Sequence, residues 1–364
     1  MIVNDYFNKT IVLKSDFQHL SFGEYFKRKS GSKINPDIAL IGISEHSDII
    51  RQHFYKLFIP KKSINCIDFG NLKKCKTKKD KYFAIRDIHS YCTENNINLF
   101  IIGNASEEVE YIYQAIASLK KNVNITAASP ILHFTTNYRN QNNYFINKII
   151  RNPKNYLDLY ANIGYQQYFV SHEDIISMRK VFFEALRLGL IKNDITLAEP
   201  YIRDADTFLI DTSCIKYSES PANNFISPNG IFANEACQLA KYAGSSLINK
   251  SLFIYGFNLK KDINHQTAIL VSQIIWYYIQ GFYSRLPEES EKPGSNDMIK
   301  FIIPVDSENQ NLVFYKNKIS EKWWIEIPYG KNKKKLISCC YSDYKQACEN
   351  EIPERWLTAF QRLN

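Results

Sequence analysis

Short runs rich in β-branched and aromatic residues alternate with helical patterns over most of the chain. Ile38–Ile43, Asn98–Gly103, Val123–Ala127, Leu157–Ile163, Phe208–Asp211 and Leu252–Tyr255 read as strands, with Ile64–Asp68 a weaker candidate. Most are apolar on both faces, as a sheet covered by helices on each side requires. Between them, Ser171 followed by Asp174 three residues on predicts a capped helix start. Ile175, Met178, Phe182, Ala185 and Leu186 then recur at helical spacing, and Gly189 stands where a left-handed end residue belongs. A second helix is expected from Ala233 to Ala243 with Gly244 as its stop. A third, apolar nearly all round and therefore buried, is expected from Thr267 to Tyr283.

Alternation of this kind predicts a doubly wound α/β domain with a mainly parallel sheet, its strands joined by right-handed crossovers. The pattern changes after Pro287. Glu288 to Asn296 is charged and turn-rich, and Ile299–Val305, Leu312–Tyr315 and Trp323–Pro328 read as antiparallel strands. A closing helix is expected from near Ser342 through Trp356 and Phe360. The expected organisation is an α/β domain over residues 1–290 and a β-plus-helix extension over 291–364 packed on it.

With 364 residues, 45% of them apolar, the chain can bury a large core, which excludes wholesale disorder. The formal net charge of +9 is concentrated in two lysine runs, Lys73 to Lys81 and Lys331 to Lys335. Such runs read first as solvated loops, with a phosphate-rich or anionic-lipid partner as the alternative. No nucleic-acid module is recognisable. The eight cysteines show neither a CxxC pair nor zinc spacing, which fits a reducing compartment, and no signal peptide is apparent. The longest apolar run, Ala268 to Tyr283, is too short to span a bilayer. A cytoplasmic location is therefore expected.

The stretch Asp204 to Gly244 carries the most chemistry: Asp211-Thr212-Ser213 at a strand end, then a Pro/Asn/Gly loop and a helix. Strand ends of open parallel sheets are where ligands collect. Several segments share a common pattern: Asn162–Val170, Leu197–Pro200, Arg203–Asp206, Asp211–Ser213, Ser220–Ala222, Ser227–Gly230, Glu235–Gln238, Lys241–Gly244, Thr267 and Trp276–Tyr278. Together they resemble the arginase/agmatinase/formimidoylglutamase (ureohydrolase) superfamily. The resemblance is to a longer branch, typical of Bacteroidetes, whose C-terminal extension has a Trp-Trp strand like Trp323-Trp324. It is strongest from 157 to 285 and weak before 100.

The resemblance implies a three-layer α/β fold with two Mn²⁺ ions at strand ends. A metal-bridging hydroxide would attack a guanidino or formimino carbon, hydrolysing a linear C–N bond. The family's ligands lie in Gly-Gly-Asp-His, Asp-Ala-His-x-Asp and Asp-x-Asp motifs. Here the first falls on Ile102-Gly103-Asn104-Ala105-Ser106, so the Asn104 amide stands for the carboxylate and the Ala105 methyl for the imidazole. The second falls within Asn124–Thr136, which holds no Asp and only one His, His133. The third keeps Asp211 but has Ser213 for its partner. Gly256 stands where active members carry a substrate-binding Glu.

Paired divalent cations need several anionic oxygens, so no Mn²⁺ cofactor is expected. The leading reading is a pseudoenzyme, a non-catalytic scaffold or binding protein with an unidentified protein partner; self-association is left open. The alternative is a divergent metal-dependent ureohydrolase. Asn104, Ala105, Ser106, His133, Asp211, Ser213 and Gly256 are the candidate residues of the degenerate pocket. For Asp211 a purely structural role, accepting backbone amides of the following loop, stands beside the ligand role. His133 reads as a satisfied edge histidine with no acidic partner placeable from sequence.

Overall fold

In a computed structural model the apolar runs assemble into one nine-stranded sheet and one four-stranded sheet. The structure describes residues 3–8, 16–29, 35–44, 46–61, 63–137, 139, 141, 144–305 and 310–364. The large sheet comprises β1 (Phe7–Asn8), β2 (Ile38–Gly42), β3 (Cys66–Leu72), β4 (Asn98–Ile102), β5 (Val123–Ala128), β6 (Leu157–Tyr165), β7 (Glu184–Arg187), β8 (Thr207–Asp211) and β9 (Ser251–Tyr255). Their order is β1-β3-β2-β4-β9-β8-β5-β6-β7, and every pairing is parallel except that of the two-residue β1. Alternate residues feed opposite layers. Leu40, Phe100, Phe208, Ile210, Leu252 and Ile254 pack one side, while Ile41, Ile101, Leu209 and Phe253 pack the other. Two-sided burial is why these strands read as continuous apolar runs.

The order has a functional consequence. The chain lays down β2 to β4, crosses to β5, and later inserts β8 and β9 between β4 and β5. The carboxyl ends of β4, β9, β8 and β5 therefore stand side by side where the strand order reverses, the usual place for a binding crevice.

The second sheet is an antiparallel meander of β10 (Met298–Val305), β11 (Gln310–Asn317), β12 (Trp323–Tyr329) and β13 (Lys333–Cys339). It packs on the large sheet's flank through buried arginines. Arg355 pairs with Glu184 at 2.7 Å and Asp204 at 3.1 Å, with its guanidinium over the Tyr201 ring. Arg203 donates to the carbonyl of Trp323 at 2.8 Å and lies over the Trp324 ring. The Trp-Trp pair is thus a contact with the α/β body.

Several expectations need correction. Ser171 does cap a helix, accepting from the Asp174 amide at 3.0 Å, but that helix ends at Lys180. Phe182 turns left-handed (φ 57°), and Glu184–Arg187 becomes the sheet's edge strand. Ala185 and Leu186 pair with Asn162 and Ile163, so sheet extension overrides their helical spacing. Gly189 lies inside the short helix Leu188–Asn193. Gly244 does not stop its helix, which runs Ala233–Ser245. A Cβ there would overlap the Tyr278 carbonyl oxygen, so the glycine permits close helix contact. The weak candidate Ile64–Asp68 is displaced to Cys66–Leu72, the lysine run after 330 begins strand β13, and the closing helix is two helices, Tyr341–Cys348 and Glu354–Leu363. Among the described residues no helix is long and apolar enough to cross a membrane.

Candidate functional site

At the end of β8, Asp211 turns its carboxylate back on its own loop. Oδ1 accepts from the Ser213 amide at 2.9 Å, closing an Asx turn that starts the short turn Thr212–Cys214. Ser213 is buried beside it. On the adjacent strand end Gly256 has φ +90°, a conformation open mainly to glycine. A Cβ there would overlap Asp211 Oδ1 and lie 3.2 Å from its Cγ, so the carboxylate fills the space of a side chain at 256.

His133 follows β5 in a left-handed conformation (φ 53°) and stacks on Phe145 with ring centroids 4.5 Å apart. It is not an edge residue: 4% of it is exposed. Its Nε2 lies 3.0 Å from Ser129 Oγ, 3.2 Å from the Tyr255 hydroxyl and 3.7 Å from Asp211 Oδ2. The acidic partner that sequence left unplaced is therefore Asp211, brought in by the order β9-β8-β5. A hydrolytic triad needs nucleophile and carboxylate on opposite ring nitrogens. Here serine, tyrosine and aspartate all crowd one nitrogen, and Ser129 is fully buried. The arrangement is a polar knot.

The end of β4 is held by a residue that sequence reading missed. Glu108, buried at the start of the helix Glu108–Leu119, accepts from the amides of Asn104 at 3.0 Å and Ala105 at 3.4 Å, and its other oxygen pairs with Lys81. The signal was present: an acid a few residues past Gly103, just before an apolar helical run, has the spacing of a capping carboxylate. Asn104 and Ala105 are exposed and Ser106 is half-buried. Asn104 joins the cluster by its backbone, accepting from the Gly256 amide at 3.3 Å.

The seven candidate residues thus gather around four neighbouring strand ends, with Asp211, Ser213, His133 and Gly256 inside and the β4 loop at the rim. Nucleophilic chemistry is not favoured. Burial, with Asp211 second, pushes the thiol of nearby Cys214 well above its usual range, which suppresses thiolate. The same causes, in the same order, raise the Tyr255 phenol. Nor does the donor set fit a pair of divalent cations. One carboxylate, already accepting a backbone amide, and one imidazole stand among amide, hydroxyl and methyl groups, and among the described residues no group of three His, Cys, Asp or Glu side chains could hold a metal ion. Open cavities lie elsewhere: one of about 540 Å³ borders Glu199, Tyr242, Lys322, Trp323 and Cys340, and one of about 740 Å³ borders Phe58, Trp276 and Tyr277.

No protein-family model matches the chain, and no curated protein matches it in sequence. Solved structures do match its fold. A formiminoglutamase from Trypanosoma cruzi crystallised with Mn²⁺ superposes with a TM-score of 0.62 at 12% identity, covering 71% of this chain and 97% of that one. The formimidoylglutamase of Bacillus subtilis gives 0.61 at 14%, covering 70% and 89%. The agmatine ureohydrolase of Thermoplasma volcanium gives 0.58 at 17%, covering 74% and 97%. At these identities the likeness establishes the fold, that of the arginase-like ureohydrolases.

Proposed function

We propose that this chain keeps the ureohydrolase fold without a dinuclear manganese site and acts as a non-catalytic scaffold or binding protein. The observation that carries the reading is the placement of Asp211. The one carboxylate at a family ligand position is spent on the Ser213 amide and occupies the space beside Gly256. Glu108 supports the same reading, since it satisfies the β4 loop amides from within the protein. Without a metal pair, no group in the cluster generates hydroxide near neutral pH. Framework segments persist around it: the Ala222 amide donates to the Thr267 hydroxyl at 2.9 Å, and the Asn224 amide to the Gly256 carbonyl at 2.9 Å. Selection for a folded surface rather than for turnover accounts for both features. Eight free cysteines suit a cytoplasmic setting.

The test is metal analysis of the full chain expressed with added manganese, with thermal melting in the presence and absence of excess Mn²⁺. A ligand of the folded state must raise the melting temperature. The expected result is substoichiometric manganese, an unchanged midpoint, and no hydrolysis of arginine, agmatine or formiminoglutamate. Near-stoichiometric manganese with a raised midpoint overturns the reading in favour of a divergent ureohydrolase.

A further inference from the structure

Away from the strand ends, two histidines 212 positions apart in sequence face each other at the surface. His53 lies in the last turn of the helix Ser47–Phe54, and His265 immediately precedes the helix Gln266–Phe282. His53 Nε2 and His265 Nδ1 are 3.1 Å apart. Their ring centroids are 5.3 Å apart with the planes at 81°. Two imidazoles sharing a tetrahedral ion at ordinary Zn–N distances have nitrogens about 3.3 Å and centroids about 5.2 Å apart. As they stand the two nitrogens are within hydrogen-bond distance of each other, close to the separation that a shared ion requires.

The backbone presenting His265 is unusual. Asn264 (φ 54°, ψ 22°) and His265 (φ 56°, ψ 27°) are consecutive non-glycine residues in the left-handed region. Asparagine enters this region readily, whereas His265 does so against the contact of its Cβ with the following carbonyl oxygen. Asp262 fixes the loop, accepting from the amides of Thr267 and Ala268 at 2.9 Å each. Strain of this kind persists where surrounding structure demands it, and it turns the His265 ring toward His53.

We propose that His53 and His265 form a two-histidine site for a borderline transition-metal ion such as Zn²⁺, completed by water, which clips the Ser47–Phe54 helix to the start of the Gln266–Phe282 helix. Imidazole pairs suit Zn²⁺, Cu²⁺ and Ni²⁺, whereas Mg²⁺ and Mn²⁺ prefer oxygen donors. Protonation competes with metal, and the charged neighbours set where. Burial first, then His265 and Lys56, lower the His53 pKa, while Asp262 opposes them. Proton and metal compete for the same ring nitrogens, so affinity falls on acidification.

Calorimetric titration of the full chain with ZnCl₂ at pH 7, in parallel on His53→Ala and His265→Ala, tests the site. The expected result is one saturable ion per chain, weakened by roughly tenfold or more in each variant and restored in neither by the other histidine. Circular dichroism melts without metal check that each variant is folded. Absence of saturable binding below about 1 mM, or an affinity unchanged in both folded variants because cysteines supply the ligands, overturns the proposal. Co²⁺ absorption gives a second readout: loss of a nitrogen-ligand band in either variant supports it, and an unaltered spectrum overturns it.

Discussion

The Asp211 carboxylate occupies the volume in which a side chain on Gly256 would begin: a Cβ at 256 overlaps Oδ1 and comes within 3.2 Å of Cγ. The two positions are coupled by space. Adding back a glutamate at 256, the residue type that the family resemblance implies there, forces either the carboxylate or the strand end to move. It also places a non-glycine residue at φ +90°, a strain of about 1–3 kcal/mol. Gly256→Ala is therefore expected to destabilise the fold by more than about 2 kcal/mol in urea denaturation, with Asp211→Ala/Gly256→Ala less destabilised than the sum of the singles. Additive behaviour would show that the overlap is relieved without strain.

Arg355 predicts how tightly the small sheet is bound. Its guanidinium is buried between Glu184 and Asp204 and also donates to the carbonyl of Ser338. Burial raises the Glu184 pKa even with Arg355 beside it, so removing the arginine leaves a carboxylate in a site that already disfavours its charge. Arg355→Ala is expected to lower stability by about 3–5 kcal/mol. Tryptophan fluorescence of Trp323 and Trp324 should report the loss in the same transition as far-UV circular dichroism. A separate earlier fluorescence transition would mean that the small sheet unfolds independently.

What sequence revealed and what it hid follow from range. The strands buried on both faces, such as Phe208–Asp211 and Leu252–Tyr255, were legible because burial imposes apolar runs on them. The edge strand Glu184–Arg187 was not, since it is short, half-buried and shares the spacing of the helix before it. At the site, the places of Asn104, Asp211 and Gly256 at strand ends were legible, because each closes an apolar run. The contact of His133 with Asp211 was not, because it is created by strand order between residues 78 positions apart in the chain. The lysine run before Phe83 also divides on folding. Lys78 and Lys81 pair with Glu107 and Glu108, which removes part of the charge expected to be free.

Gly244 and Gly281 face each other's helices. A Cβ on Gly244 would overlap the Tyr278 carbonyl oxygen, and one on Gly281 the Lys241 carbonyl oxygen. Neither neighbour is a side chain that can swing away, so alanine at either position must push the helices Ala233–Ser245 and Gln266–Phe282 apart. Helix propensity alone favours alanine by about 1 kcal/mol. The packing loss is expected to exceed it, giving a net destabilisation of about 1–3 kcal/mol for each substitution in denaturant titrations. A stabilised Gly244→Ala would show that the contact is not close.

His89 sets an acid limit on stability. It is fully enclosed behind β9, with Nε2 3.1 Å from Ser251 Oγ, and the Ser251 hydroxyl donates to Thr207 Oγ1 at 2.8 Å. Ser251 Oγ therefore accepts from an Nε2–H. Burial lowers the pKa of His89 from the usual 6.5 to about 4. Because the folded value lies below the unfolded one, the unfolded chain takes up the proton first as pH falls. This contribution to stability is intact above about pH 6.5 and is lost progressively toward pH 4, to a total of about 3 kcal/mol. His89→Gln, whose amide nitrogen can reach the same hydroxyl, is expected to flatten that slope while costing stability at pH 7. Urea denaturation of both proteins from pH 7 to pH 4 measures it, and an equally steep decline in the variant would assign the acid sensitivity to other groups.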